Sequence, residues 1–332
     1  MPTRRKILAW SAGVGGLLGG VSSGAFAQSP FRRIGVIVGT SERDAETVAR
    51  IEALRRSLQA YGWVDGETAT IDYRYANGNA DALRRNAEAL VASQPDVIVA
   101  SGTFVIVELK RLTTTIPVIA ALVIDPVGFG FAESLSRPGT NITGFNFINP
   151  GLVGKWKGLL SEAAPGTRRS AVLYNPRIQP YYPAMLASFT AAIPSSPVEL
   201  IPTPVETTEA IRAALVSQAA TPGGSLMIGP EAFVFSHMRQ VADWAVELKL
   251  PGISVYRQYA QFGGLISYGP DVIDIFRRTA DYVDRVLRGA NPAELPIQQP
   301  VAFECLLNLK TAGALRLDWP ATFLAQADEV IE

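Results

Sequence analysis

What the chain has least of narrows the options first. A single cysteine, Cys305, and a single histidine, His237, stand among 332 residues. One thiol excludes an internal disulfide, and one residue of each kind cannot build a Cys/His zinc site, so no metal is expected. His237 lies beside Ser236, a natural helix cap, and the nucleophile and orienting acid that a catalytic base would want are not visible in the sequence. Charge of one sign is lacking too: 30 basic and 30 acidic side chains leave a formal net charge of zero. Nucleic acid and anionic lipid both select a basic footprint, so neither is expected as a partner. No Walker lysine loop and no Gly-x-Gly-x-x-Gly after a strand pattern is present, which argues against nucleotide chemistry and leaves no cofactor expected.

What is there begins with a leader. Arg4-Arg5 opens the chain, an apolar run rich in glycine and serine extends to about Gly24, and Ala25-Phe26-Ala27 supplies a small-x-small cleavage pattern. Residues 1–27 read as a twin-arginine export signal, with an uncleaved membrane anchor the weaker alternative. No cysteine lies near the cut to carry a lipid. The mature chain is therefore expected in the periplasm.

The remaining length suits two domains of about 150 residues each. Pro95-Asp-Val-Ile-Val-Ala-Ser-Gly-Thr103 and Pro117-Val-Ile-Ala-Ala-Leu-Val-Ile-Asp-Pro126 are apolar runs too continuous to alternate faces. Between them lie about a dozen residues of helical pattern, which is how two buried parallel strands and their crossover helix read. Upstream come the strand Arg33–Val38, a helix with apolar positions Val48, Ile51, Leu54 and Leu58, the strand Thr68–Tyr75 and a helix over 80–92. The alternation restarts after Phe147: helix to about Ala164, strand Ser170–Tyr174, helix 182–192, strand Val198–Ile201, helix Thr208–Ala220, strand Ser225–Ile228, one helix from Ser236 to Lys249 and strand Gly252–Val255. A strongly amphipathic helix, Val272–Leu287, suggests a return to the first domain. The expected fold is α/β, with lobes at 31–145 plus 270–290 and 146–269 plus 291–332.

Open parallel sheets bind ligands beyond the carboxyl ends of their strands, which sets the candidate residues. Ser101, Gly102 and Thr103 precede a helix and would hold a carboxylate with backbone N–H groups and hydroxyls, or serve as plain helix caps. Asp125, followed by Pro126, would meet an ammonium or hydroxyl, or form an Asx turn. Thr40 and Ser41 occupy the same edge after the first strand. From the second lobe Asn175, Glu231 and Tyr256 sit at strand ends, and Tyr268 lies at the expected crossing between lobes. Polar tips on aromatic bodies suit a mostly apolar pocket with a few placed hydrogen bonds.

Tyr61-Gly-Trp-Val-Asp-Gly66, Ile71-Asp-Tyr-Arg-Tyr75, Asp125-Pro-Val-Gly128, Ser136-Arg-Pro-Gly-Thr-Asn-Ile-Thr-Gly144, Val172-Leu-Tyr-Asn-Pro176, Ser267-Tyr-Gly-Pro270 and Ala327-Asp-Glu-Val-Ile-Glu332 together resemble the substrate-binding proteins of ABC importers, including the tryptophan/tyrosine-binding type. The resemblance implies a type I periplasmic binding protein: two Rossmann-like lobes with parallel sheets, joined by a three-strand hinge and closing on a small polar or zwitterionic ligand. It also implies an ABC permease in the inner membrane as partner, a monomer and no catalysis. Phe104-Val105 stands where relatives carry small residues, which would narrow the pocket. A competing reading is an exported isomerase or hydrolase using Asp125 and Glu231 as acid and base across the cleft. A sensory binding module is the third.

Overall fold

A computed structural model describes residues 31–193 and 198–332. The leader, and with it the export-signal reading, lies outside the described residues.

The first half alternates strand and helix: β1 (Arg32–Val38), α1 (Ala45–Ala60), β2 (Ala69–Tyr75), α2 (Ala80–Ala92), β3 (Val97–Ser101), α3 (Thr103–Leu112), β4 (Val118–Ile124) and β5 (Ile142–Ile148). Their sheet has the order β2-β1-β3-β4-β5 with every pair parallel. β3, β4 and β5 are buried along their whole length, because crossover helices cover the faces of a parallel sheet. That burial explains their uninterrupted apolar runs.

The second half is α4 (Pro150–Ala163), β6 (Arg169–Tyr174), α5 (Tyr182–Ala191), β7 (Glu199–Pro204), α6 (Thr208–Ala219), β8 (Gly224–Ile228), α7 (Ala232–Ser236), α8 (Met238–Glu247), β9 (Gly252–Ser254), α9 (Arg257–Gln261) and β10 (Ile266–Pro270). Then come α10 (Val272–Leu287), a short 3-10 turn at Pro292–Glu294, β11 (Phe303–Asn308), α11 (Leu309–Ala314), α12 (Ala321–Leu324) and β12 (Glu329–Ile331). This sheet runs β12-β11-β10-β9-β8-β6-β7 and is parallel except where β10 meets β11.

α10 leaves the second sheet and packs along α1 on the first. Its expected stripe of Val272, Ile275, Phe276, Tyr282, Val283, Val286 and Leu287 is buried, and the Trp63 indole donates to Asp284 Oδ1 across the joint at 2.9 Å. The chain passes between lobes three times, near Asn149, Asp271 and Ala302. The Asp271 N–H donates to the Ala302 carbonyl at 3.1 Å, and the Asn146 and Asn149 side-chain amides both reach Gln299 Oε1, at 3.1 and 3.4 Å. The crossings are thus tied to one another.

Three local differences from the sequence reading have physical causes. The segment from 291 to 299 lies against the first sheet: the N–H groups of Ile297 and Gln298 donate to the carbonyls of Leu135 and Gly144 at 2.7 and 2.8 Å. On α1 the buried face is Thr47, Arg50, Leu54 and Leu58, while Val48 is exposed. The helix expected over Ser236–Lys249 is α8, which starts at Met238, and an unexpected short helix, α7, precedes it, because Glu231 caps α7 by accepting from the Val234 N–H at 2.6 Å. Ser236 instead bonds back to the Ala232 carbonyl at 2.9 Å.

Candidate functional site

Strand order places one site in each lobe. In the first sheet β1 and β3 are neighbours whose connections diverge to opposite sides, and in the second β6 and β8 do the same. Such switch points leave a crevice beyond the carboxyl ends of the strands. The two crevices face each other. A cavity of about 390 Å³, partly open to solvent, is lined by Thr40 after β1, Ser101, Gly102 and Thr103 after β3, Gln179 after β6, and Pro230 and Ala232 after β8. Gly39, Arg50 from α1, Phe104, Leu122, Ile124 and Tyr256 complete the wall.

Five of the expected residues therefore meet: Thr40, Ser101, Gly102, Thr103 and Tyr256. The Thr47 hydroxyl donates to Asp44 Oδ2 at 2.9 Å, so Thr40, 2.6 Å from that hydroxyl, donates to it and keeps its lone pairs for another partner. Gly102 has φ +101°, a conformation open to glycine. It turns the chain from β3 into α3, whose first N–H groups have no acceptor within the helix. Thr103 Oγ1 accepts from the Ile124 N–H at 2.8 Å, pinning the end of β4. There Leu122 has φ +59° and the pairing with β5 shifts register; the bulge accompanies Leu122 at the cavity. Tyr256 is buried against Phe235, ring centroids 4.6 Å apart, and burial pushes its phenol up to about 12.

The other expected residues are elsewhere. Asp125 has φ +43° and its carboxylate accepts from the Gly128 N–H at 3.0 Å, the Asx-turn arrangement, while the Pro126 carbonyl accepts from Phe131 and Ala132 in the same loop. Ser41 Oγ accepts from the Arg43 N–H at 3.2 Å. Asn175 Oδ1 accepts from the Arg177 N–H at 2.9 Å and its carbonyl from the Gln179 N–H at 2.8 Å, so it shapes the loop that carries Gln179. Glu231 is the buried cap of α7, its carboxyl raised to about 7 by burial. The Tyr268 ring stacks on Phe303 at 5.8 Å, because the pleat of β10 turns it away from the cavity. Neither Asp125 nor Glu231 lines the cavity, so the acid–base pair of the competing reading is not assembled there. His237 Nδ1 lies 2.8 Å from the Phe233 carbonyl, and Cys305 is a core residue whose thiol burial pushes up to about 11. Among the described residues no group of three or more His, Cys, Asp or Glu side chains is arranged to hold a metal, and no helix is long and apolar enough to cross a membrane.

Arg50 and Gln179 escaped the sequence reading. Arg50 looks like one more charge on a helix surface, and only the true register of α1, Thr47–Arg50–Leu54–Leu58, exposes its burial. Gln179 lies five residues past the end of β6 at Tyr174, beyond the window that strand ends alone define. Phe104 lines the cavity with its ring packed on Gly39, where a Cβ would sit 1.9 Å from it. Chemically the cavity offers donors on the first lobe, acceptors on both and flat apolar walls.

A family model described as ABC transporter substrate binding protein matches residues 33–331. The tyrosine-binding protein of Clostridioides difficile is 23% identical over 261 residues, 78% of this chain and 74% of that protein. Two solved structures share the fold. A conserved domain protein from Vibrio cholerae has TM-score 0.79 at 25% identity, covering 90% of this chain and 99% of its own. An ABC domain in complex with L-Trp from Streptococcus pneumoniae has TM-score 0.81 at 23% identity, covering 91% and 100%.

Proposed function

Because the chain belongs to the ABC transporter substrate binding protein family, we propose that it is the extracytoplasmic receptor of an importer, capturing a small zwitterionic ligand between its lobes and presenting it to a permease in the inner membrane. The ligand class favoured is an aromatic amino acid or a close relative, and the protein acts as a periplasmic monomer without catalysis. One observation carries the reading: the switch points of two parallel sheets open onto the same cavity, so a ligand there touches both lobes. A ligand bound by both lobes favours the closed arrangement by its differential affinity, which is the signal a permease reads. The tyrosine-binding relative and the L-Trp complex agree with the flat, apolar walls formed by Phe104 and Tyr256.

Titration calorimetry against the amino acids and aromatic acids, paired with small-angle scattering, tests this. The expected result is one saturable site whose occupancy shrinks the particle. Failure of every compound to bind, or binding without compaction, would overturn it.

A further inference from the structure

Two side chains in the cavity are buried with a polar atom left over, and they come from opposite lobes. Arg50 is 2% exposed. Its Nε donates to Glu46 Oε1 at 3.2 Å, while Nη2 is buried with no partner. The guanidinium carbon lies 5.3 Å and 5.4 Å from the ring centroids of Phe235 and Tyr256, so the group is held between α1 and the second lobe and is not free to swing to solvent. Gln179 is 1% exposed. Its Nε2 donates to the Pro230 carbonyl at 3.2 Å, which fixes the amide and leaves Oε1 buried without a donor.

Buried polar atoms are normally paired, because an unpaired one forfeits its bond to water and gets nothing back. An orphan cationic donor on one side and an orphan neutral acceptor on the other are the complement of a molecule with an anionic end and a donor end. Glu46 already offsets the Arg50 charge, so an anion here is held by the Nη2 hydrogen bond and by the positive end of α3 at Ser101–Thr103 as much as by net charge. The free lone pairs of Thr40 add an acceptor. Ile124 and Pro230 also border the packed apolar core around Trp156, Tyr182 and Phe189, so the cavity is apolar on that side.

We infer that the cavity recognises a free α-amino acid by both ends, its carboxylate on Arg50 of the first lobe and its ammonium on Gln179 of the second. This rests on the ligand-binding reading above and names the residues that deliver it. Since neither lobe holds both groups, the zwitterion itself spans the lobes.

The test uses L-tyrosine, tyrosinamide, which lacks the carboxylate, and 3-(4-hydroxyphenyl)propionate, which lacks the ammonium, against the protein and its Arg50→Gln and Gln179→Met variants. Hydrogen bonds to charged groups set the expected loss at about 10- to 100-fold in affinity for tyrosine in each variant. Arg50→Gln should leave tyrosinamide nearly unaffected, and Gln179→Met should leave the propionate nearly unaffected. Equal losses for tyrosine and its truncated analogue would mean that the side chain only braces the lobes, and would overturn the inference. The unaltered protein supplies a check that needs no variant: if tyrosinamide or the propionate binds as tightly as tyrosine, the two-ended reading is wrong. Binding of a neutral solute with none of these three sinks the inference and spares the receptor function. Binding of nothing sinks both.

Discussion

Glu231 carries a carboxyl group that is 1% exposed, capping α7 through one oxygen while the other has no partner. Burial raises it to about 7, against the opposing pull of nearby backbone N–H groups. The folded state therefore keeps a proton there that the unfolded chain releases near its ordinary value of 4.5. Between those two values the native state binds more protons than the unfolded one, so stability falls as pH rises, by roughly 3 kcal/mol in all from this one group. Glu231→Gln keeps the capping oxygen and removes the titration. Urea denaturation from pH 5 to pH 8 should show the unaltered protein losing ground against the variant; parallel profiles would refute it. At this scale much of the site was legible in the sequence. Thr40, Ser101, Gly102, Thr103 and Tyr256 end strands whose apolar runs are plain, and a strand end in a parallel sheet points to the cleft by topology alone. Asp125 and Glu231 end strands as well, but a carboxylate can satisfy itself locally as a turn or a cap, and no sequence pattern separates that from ligand contact. Arg50 was hidden for the opposite reason, since charge marks a residue as exposed unless its neighbours are known.

Among the elements, α10 was the most legible, because a helix covering one sheet face repeats its apolar positions with the helical period. β4 shows what periodicity misses. Its run from Val118 to Ile124 reads as a regular buried strand, yet it bulges at Leu122, and the cause lies on its neighbour. Gly144 in β5 has φ +137°, and a Cβ there would sit 2.1 Å from the Ala120 carbonyl oxygen. The close approach of the two backbones depends on the missing side chain. Gly144→Ala combines a backbone conformation that L-residues avoid with a collision against backbone, at a cost of about 3 kcal/mol. A lower urea midpoint is expected, with weaker ligand affinity because β4 carries Leu122 and Ile124 to the cavity. An unchanged midpoint would show that β4 and β5 can separate freely, and the account of the bulge would fail.

At the scale of the whole molecule the question is how the lobes hold each other. The Phe129 ring on the first lobe meets Tyr181 on the second edge to face, centroids 4.7 Å apart, and Glu46 on α1 accepts a hydrogen bond from Gln258 on α9. Neither Phe129 nor Tyr181 lines the cavity. Their contact biases the opening and closing equilibrium without touching a ligand. An aromatic pair of this geometry contributes about 0.5–1.5 kcal/mol beyond the area it buries. Ligand affinity scales with the fraction of molecules in the binding-competent arrangement, so where the closed form is the minor one its loss weakens binding by the same free energy. Phe129→Ala is accordingly expected to reduce affinity for any ligand by about 2- to 10-fold, whichever end of it is altered. Small-angle scattering should show a variant that needs correspondingly more ligand to compact and that reaches the size of the unaltered protein at saturation. A loss of affinity that differs from one ligand to another would place Phe129 in the site itself. A change in neither affinity nor compaction would mean that the hinge crossings near Asn149, Asp271 and Ala302, rather than the rim, set the closed arrangement.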